Sequence, residues 1–249
     1  MSAAQDCAWQ RRARPLLGTL VEIAVPQARA AEAAVQAAFA AVERVQSRMS
    51  RFEPGSDVAR FAALPVGASM AVAPETAEVL QAAWALQRDS GGLFDITQGR
   101  APDGWRCEGH RLHKRAAAAA FDLGGIAKGH AVDRAVQALQ SMGCAAGWVN
   151  AGGDLRAFGA VQLPVLLRDE EGGGLRPFAQ LADGAFATSR FGARCRSQAW
   201  AGNGRGVSAH VSVAAPSCLW ADALTKVVAA SGDARHPLLH AHGACAWLH

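Results

Sequence analysis

The sequence predicts an α+β fold in a single domain. Three observations carry this. Helical and strand patterns are interspersed without a regular β-α-β alternation. No internal repeat and no Pro/Gly/Ser-rich linker divides the 249 residues, so the domain is expected to run 1–249. Hydrophobic residues make up 51% of the chain, which is enough for one sizeable core and unlike the composition of a disordered chain.

The elements follow in order. Residues 1–14 end in the basic cluster "QRRAR" and read as a solvated N-terminal arm. "LLGTLVEIAV" (16–25) is rich in β-branched residues and reads as a strand. The alanine-rich stretch 28–50 places Ala31, Val35, Ala38, Val42, Val45 and Met49 at helical spacing. Pro54-Gly55 marks a turn, and Ser56 suits the N-cap of a short helix. "APETAEVLQAAWALQRDSGG" opens with a proline near a helix start and closes on glycines. "LFDITQG" follows as a short loop or strand. The alanine run 116–120 fits either helix or loop.

"HAVDRAVQALQSMG" puts Ala131, Ala135, Leu139 and Met142 on one helical face, with Gly143 as its stop. "AAGWVNAGGDLRAFG" reads as strand, glycine turn, strand. "VQLPVLLRD" and "FAQLADGAFATS" read as further strands, with "RDEEGGGLRP" a hairpin loop between them. "HVSVAAP" alternates as a strand, and "CLWADALTKVVAASG" is a helix ending at Gly232. His236, His240 and His242 read as part of a solvated tail.

Composition excludes several classes of function. The net charge of +4 is mild, and no basic stripe is interleaved with aromatics, so nucleic-acid binding is not expected. No segment approaches the roughly 20 apolar residues that span a bilayer. The first residues lack the apolar core of a signal peptide, so the expectation is a cytoplasmic protein. Cys7, Cys107, Cys144, Cys195, Cys218 and Cys245 are scattered singly with no CxxC pair. They read as small buried hydrophobes in a reducing compartment rather than as zinc ligands.

Of 25 cationic side chains only Lys114, Lys128 and Lys226 are lysines. Lys128 stands in "FDLGGIAKGHAVDRA", where glycines let the backbone turn and approach a ligand closely. A helix starting there directs unpaired N–H groups and its positive dipole end outward, and a lysine adds charge, which together suit a phosphate. The plainer alternative is a strand-to-helix turn with an exposed lysine. Asp122 suits a ribose hydroxyl, a ring N–H or a metal. In "VNAGGDLRAFG", Asp154 reads as a turn cap. Asp95 lies between Phe94 and Ile96 and faces either solvent or a polar ring edge that Phe94 packs. Asp222, Thr225 and Lys226 share one helical turn. Asp222 with a hydroxyl suits Mg²⁺, and Asp222 with Lys226 suits an ordinary i,i+4 ion pair.

Taken in order, "LLGTLVEI", "SRFEPGSDVARF", "GGLFDITQG", "FDLGGIAKGHAVDRAVQALQSMG", "VNAGGDLRAFG", "GAFATS" and "VSVAAPSCLWADALTK" resemble the successive motifs of the ApbE family, the FAD:protein FMN transferases. The resemblance implies an α+β domain with an extended FAD cleft and Mg²⁺ near the diphosphate. It implies transfer of FMN from FAD to a threonine or serine of a target flavoprotein, with release of AMP. Its alternatives are FAD hydrolysis to FMN and AMP, or a non-catalytic flavin-binding protein. By position it implies FAD contacts at Leu17, Phe52, Leu93, Phe94, Asp95, Asp122 and Lys128, and a metal at Gly125, Asp222, Thr225 and residue 226. Three departures stand out. Lys226 replaces the family's last metal ligand, a threonine. Trp200 falls where the family's catalytic histidine is expected, so no catalytic residue is assigned and His210 is the nearest histidine. Arg190 replaces a glycine after Thr188-Ser189.

Overall fold

The computed structural model describes residues 8–168, 173–191 and 210–249. The main sheet grows from two antiparallel strands, β1 (Trp9–Leu16) and β2 (Thr19–Pro26), joined by a turn at Leu17 and Gly18. Residues 9–14 are therefore an edge strand and not a solvated arm. Val21, Ile23 and Val25 of β2 are buried, so β2 needs a partner on its outer edge, and β1 supplies the backbone groups. The basic cluster still faces outward: Arg11, Arg12 and Arg14 pair with Glu22, Glu32 and Glu43. Such a charged edge also discourages pairing with another chain.

Helix α1 (Ala31–Met49) buries Ala31, Val35, Ala38, Val42, Val45 and Met49, the stripe expected from spacing. In α2 (Asp57–Ala62), the Ser56 hydroxyl accepts from the Ala59 N–H at 3.0 Å, a cap of about 1 kcal/mol. A short strand β3 (Ser69–Ala71) precedes α3 (Pro74–Asp89), which begins on proline as expected. Asp57 ties α2 to α3: its buried carboxylate accepts from the Ala73 N–H at 3.0 Å and the Thr76 hydroxyl at 2.8 Å. Strands β4 (Trp105–Glu108) and β5 (Arg111–Lys114) join β3 in a small sheet of order β3-β5-β4. Lys114 is structural. Its buried ammonium donates to the carbonyls of Phe61 (3.3 Å) and Ala62 (2.6 Å) at the end of α2.

Helix α4 (Ala127–Ser141) begins inside the glycine-rich stretch, and Ala131, Ala135 and Leu139 are buried while Met142 is 44% exposed. Met142 is the C-cap, so it has already turned away from the helical face. Strands β6 (Gly147–Ala151) and β7 (Asp154–Phe158) form the hairpin read from the sequence. β8 (Leu163–Arg168) and β9 (Leu175–Leu181) pair in a separate two-stranded sheet, and residues 169–172 of their connection lie outside the described residues. β10 (Gly184–Arg190), β11 (His210–Ala215) and helix α5 (Cys218–Ser231) follow. Gly143 and Gly232 both have positive φ where α4 and α5 end.

The C-terminal residues are not a solvated tail. α6 (Pro237–Ala241) and β12 (Cys245–Leu248) complete the fold. The His236 ring nitrogen accepts from the Leu238 N–H at 3.3 Å, and His242 packs against Trp220 at 4.0 Å between centroids with the rings tilted by 32°. β12 covers the outer edge of β11, which closes the antiparallel order β1-β2-β6-β7-β10-β11-β12. Among the four described cysteines only Cys218 is buried; Cys107 and Cys144 are half-buried and Cys245 is exposed. No described helix is long and apolar enough to cross a membrane.

The helix layer positions the site. α4 packs against α1 on one side, α5 on the other, and β6 and β7 beneath. α5 is apolar nearly all round because α4, β7, β10 and β11 enclose it.

Candidate functional site

Phe121 stacks on Phe61 with centroids 4.4 Å apart, and Trp105 meets the Phe121 ring edge-on at 5.0 Å. This anchors the residue before Asp122 and leaves Asp122 itself at a rim, half-exposed. Its Oδ1 accepts from the Gly124 N–H at 2.9 Å. Its Oδ2 accepts from Gln98 at 3.0 Å and from Arg51 at 3.2 Å. The Asp122 N–H donates to the Ile96 carbonyl at 2.7 Å, which joins this rim to the loop after α3.

That loop holds Leu93, Phe94 and Asp95. Phe94 is buried and Leu93 half-buried. Asp95 is nearly buried and does not face solvent. Its carboxylate accepts from the Thr97 N–H (2.6 Å), the Thr97 hydroxyl (2.9 Å) and the Gly99 N–H (3.0 Å). It shapes the loop that offers Gln98 to Asp122. Phe52 is 80% exposed beside Arg51, whose guanidinium lies 4.8 Å from the ring centroid. Leu17 has φ 55°, uncommon for a residue with a side chain, and its N–H donates to the Gln46 side chain of α1 at 2.7 Å.

Below the rim is a charged cluster. Lys128 pairs with Asp154, and its ammonium lies 3.7 Å from Asp222 Oδ2. Lys226 pairs with Asp222 Oδ1. Lys226 also donates to the Asp222 carbonyl at 3.0 Å and to Ser189 Oγ at 3.2 Å. Asp222 Oδ2 further accepts from the Gly129 N–H at 3.3 Å. Thr225 donates its hydroxyl to the Asp222 carbonyl at 2.7 Å, and its oxygen lies in hydrogen-bond contact with the Ser189 hydroxyl at 3.1 Å. The stem of Lys226 runs past Gly125, where a Cβ would stand 3.0 Å from its Cε. The rim at Asp122 to Gly125 and the cluster are thus contiguous.

Both carboxylates are buried, Asp154 at 1% and Asp222 at 0% exposure. Burial disfavours the Lys128 ammonium, yet Asp222 and Asp154 outweigh it and hold its pKa above the usual lysine value. Burial likewise raises the Asp222 acid, but Lys128, Lys226 and the Gly129 N–H bring it below the usual carboxylate value. Asp154 goes the other way. Burial first, then the Asp222 charge, push its acid up to about 6 against the pull of both lysines. The Lys128 shift favours full ionisation of its pair with Asp154, and the Asp154 shift opposes it. Asp222 is therefore ionised beside a protonated Lys128, and Asp154 is the more weakly acidic of the two carboxyls.

Two residues hold this cluster together that sequence reasoning did not select. Asp133 on α4 accepts from the Cys218 and Leu219 N–H groups, each at 2.9 Å, and so caps α5 across the helix pair. It also pairs with Arg156 of β7. Ser189 on β10 joins Thr225 and Lys226. Asp154 reads as a turn cap in sequence, but Asn150 does that work: its side-chain oxygen accepts from the Gly153 N–H at 3.0 Å. The signal for Asp133 is its place eight residues after the Gly124-Gly125 pair in the same block. Trp200, the sequence-based position of the family histidine, lies outside the described residues. A separate hollow of about 330 Å³ lined by Val66, Gly67, Glu108, His113, Lys114 and Arg115 contains none of these residues.

The model of the ApbE family matches residues 17–246. The chain belongs to the ApbE family. The flavin transferase ApbE of Vibrio cholerae superposes with a TM-score of 0.82 at 22% identity, covering 97% of this chain and 93% of that one. The ApbE protein of Thermotoga maritima gives 0.83 at 25% identity, covering 97% and 94%. The flavinyl transferase ApbE of Pseudomonas stutzeri, in its apo form, gives 0.78 at 21%, covering 92% and 86%. No match was found among curated proteins.

For this ApbE-family chain, the donor set expected for Mg²⁺ does not fit a divalent cation as it stands. Both Asp222 carboxylate oxygens are engaged, Oδ1 by Lys226 and Oδ2 by the Gly129 N–H and Lys128. The ammonium of Lys226 itself stands among the oxygens a metal would draw on, and it cannot ligate one.

One buried group nearby sets a pH limit. His130, 2% exposed on α4, accepts from Arg134 Nε at 3.3 Å, which requires a neutral ring nitrogen. Burial, then the Arg134 charge, lower its pKa from 6.5 to about 4. A histidine depressed in the folded state contributes stability that is present above its unfolded pKa and lost as pH falls through the folded one. Stability is expected to drop by about 3 kcal/mol between pH 6.5 and 4 from this group. Urea denaturation of wild type and His130→Gln across that range checks it, and parallel curves would count against the assignment.

Proposed function

We propose that this protein transfers FMN from FAD to a threonine or serine hydroxyl of a target flavoprotein, releasing AMP. The observation that carries the reading is the convergence of the Lys128 turn with Asp222 of α5 below the Asp122 rim. Family membership supports the same chemistry. Leu17, Phe52, Leu93, Phe94, Asp122 and Lys128 are the residues assigned to FAD. Asp95 acts by holding the loop between Phe94 and Gln98.

In the reaction the acceptor hydroxyl oxygen bonds to the phosphorus of the FMN half. The bond from that phosphorus to the bridging oxygen breaks, AMP leaves with the bridging oxygen, and the hydroxyl proton passes to solvent. Lys128 and the N-terminal end of α4 stabilise negative charge on the diphosphate. The rim orients the substrate, and positioning accounts for much of the rate.

Incubation with FAD and a threonine-bearing flavoprotein target tests the reading by mass spectrometry. A covalent FMN adduct with AMP in equal amount supports it. FMN and AMP without an adduct would instead mean hydrolysis, and bound, unchanged FAD would mean a binding protein. In the same system Asp122→Ala is expected to weaken FAD binding by about 1–3 kcal/mol, the scale of a hydrogen bond to a charged group. Calorimetric titration measures this, and unchanged affinity rejects the contact.

A further inference from the structure

Lys226 is placed as a cation is placed. Its ammonium lies against three oxygens: Asp222 Oδ1, the Asp222 carbonyl at 3.0 Å and Ser189 Oγ at 3.2 Å. An ammonium has three donors, so this cage satisfies it. The seat is enforced from two sides. Lys226 follows Asp222 by four residues on α5, which sets both on one face. Its stem also lies against the open backbone of Gly125. The charge count agrees: Asp154 and Asp222 meet Lys128 and Lys226, two of each sign. A dication added to that set would sit beside two ammoniums and compete for oxygens that are already paired.

We propose that the Lys226 ammonium replaces the divalent cation at this site, so that the protein meets the diphosphate of its substrate with two lysines and no magnesium ion. The diphosphate part rests on the FAD reading above, whereas the cation replacement is tested without flavin.

Mn²⁺ serves as the probe, followed by the loss of its free electron paramagnetic resonance signal on titration with flavin-free protein. Wild type is expected to leave the signal unchanged. Lys226→Thr removes the ammonium and adds a hydroxyl, and it is expected to bind one Mn²⁺ at least about tenfold more tightly than wild type. Lys226→Met keeps the stem over Gly125 without the charge and serves if the threonine variant does not fold. Wild type binding Mn²⁺ as tightly as the folded variant would overturn the proposal, and so would a folded variant that binds none. With FAD, wild-type affinity is expected to agree within about twofold in chelator and in Mg²⁺, while Lys226→Thr should gain about tenfold from Mg²⁺. A wild type that needs Mg²⁺ to bind FAD also overturns it. Failure of FAD to bind under every condition would count against the flavin reading, and the Mn²⁺ result would still decide the cation replacement.

Discussion

Gly129→Ala is expected to destabilise the protein by about 3 kcal/mol or more, although alanine is the better helix former by roughly 1 kcal/mol. Gly129 lies in the first turn of α4, where the helix crosses the start of α5. A Cβ there would overlap the carbonyl oxygen of Cys218 and stand 2.9 Å from Leu219 Cα. Both neighbours are backbone, so no side-chain rotation relieves the clash. The helices must move apart. That movement stretches the bonds from Cys218 and Leu219 to Asp133 and the bond from Gly129 to Asp222. The clash therefore outweighs the propensity gain. Urea denaturation measures the loss, and FAD affinity should fall with it because Asp222 shifts relative to Lys128. A Gly129→Ala protein as stable as wild type would disprove the close crossing.

Lys128→Met should have the second large effect, on both stability and binding. Methionine keeps the apolar stem but leaves the buried Asp154 without its ion-pair partner and removes one of the two ammoniums beside Asp222. Breaking a buried pair by removing one partner costs about 3–5 kcal/mol. The loss should depend on pH in a stated direction. The Asp154 acid already sits at about 6 in the wild type, and without Lys128 it rises further. A carboxyl raised in the folded state regains stability as pH falls through that value. The gap between variant and wild type is therefore expected to be large at alkaline pH and to narrow in mildly acidic solution. Comparing the two proteins at each pH cancels the His130 contribution. A gap independent of pH would contradict the buried pairing. FAD binding and transfer are expected to fall steeply at all pH values, since only Lys226, which is held by Asp222, then faces the diphosphate.

Much of the architecture was legible locally. The α1 stripe, the Ser56 cap, the proline start of α3 and the glycine ends of α4 and α5 depend on residues a few positions apart. Their signals survive in any window of the chain. The edge strand β1 and the last strand β12 were not legible in the same way. A strand at a sheet edge is defined by the partner it pairs with, and here those partners are β2 and β11. Exposed arginines in β1 resemble a solvated arm when the acids that face them, from Glu22 to Glu43, are out of view.

The candidate site divides along the same line. Asp122, Lys128, Asp222, Thr225 and Lys226 stood out in the sequence by residue type and motif order. In sequence Asp154 resembles a turn cap, because the four residues of a turn are local and an ion pair to Lys128, 26 residues away, is not. Asp133 carries no local signal of its partners for the same reason, since they are the first N–H groups of a helix 85 residues later.

By itself the sequence determined the long helices and the inner strands of the main sheet, their order, the family resemblance and the residue types available for binding a charged ligand. Only the tertiary structure decided which charges neutralise which, and it placed an ammonium where oxygens gather around Asp222. The physical reason is range. Helix and turn preferences act between near neighbours, whereas the charge state of a buried carboxylate depends on whatever folding brings within a few ångströms of it.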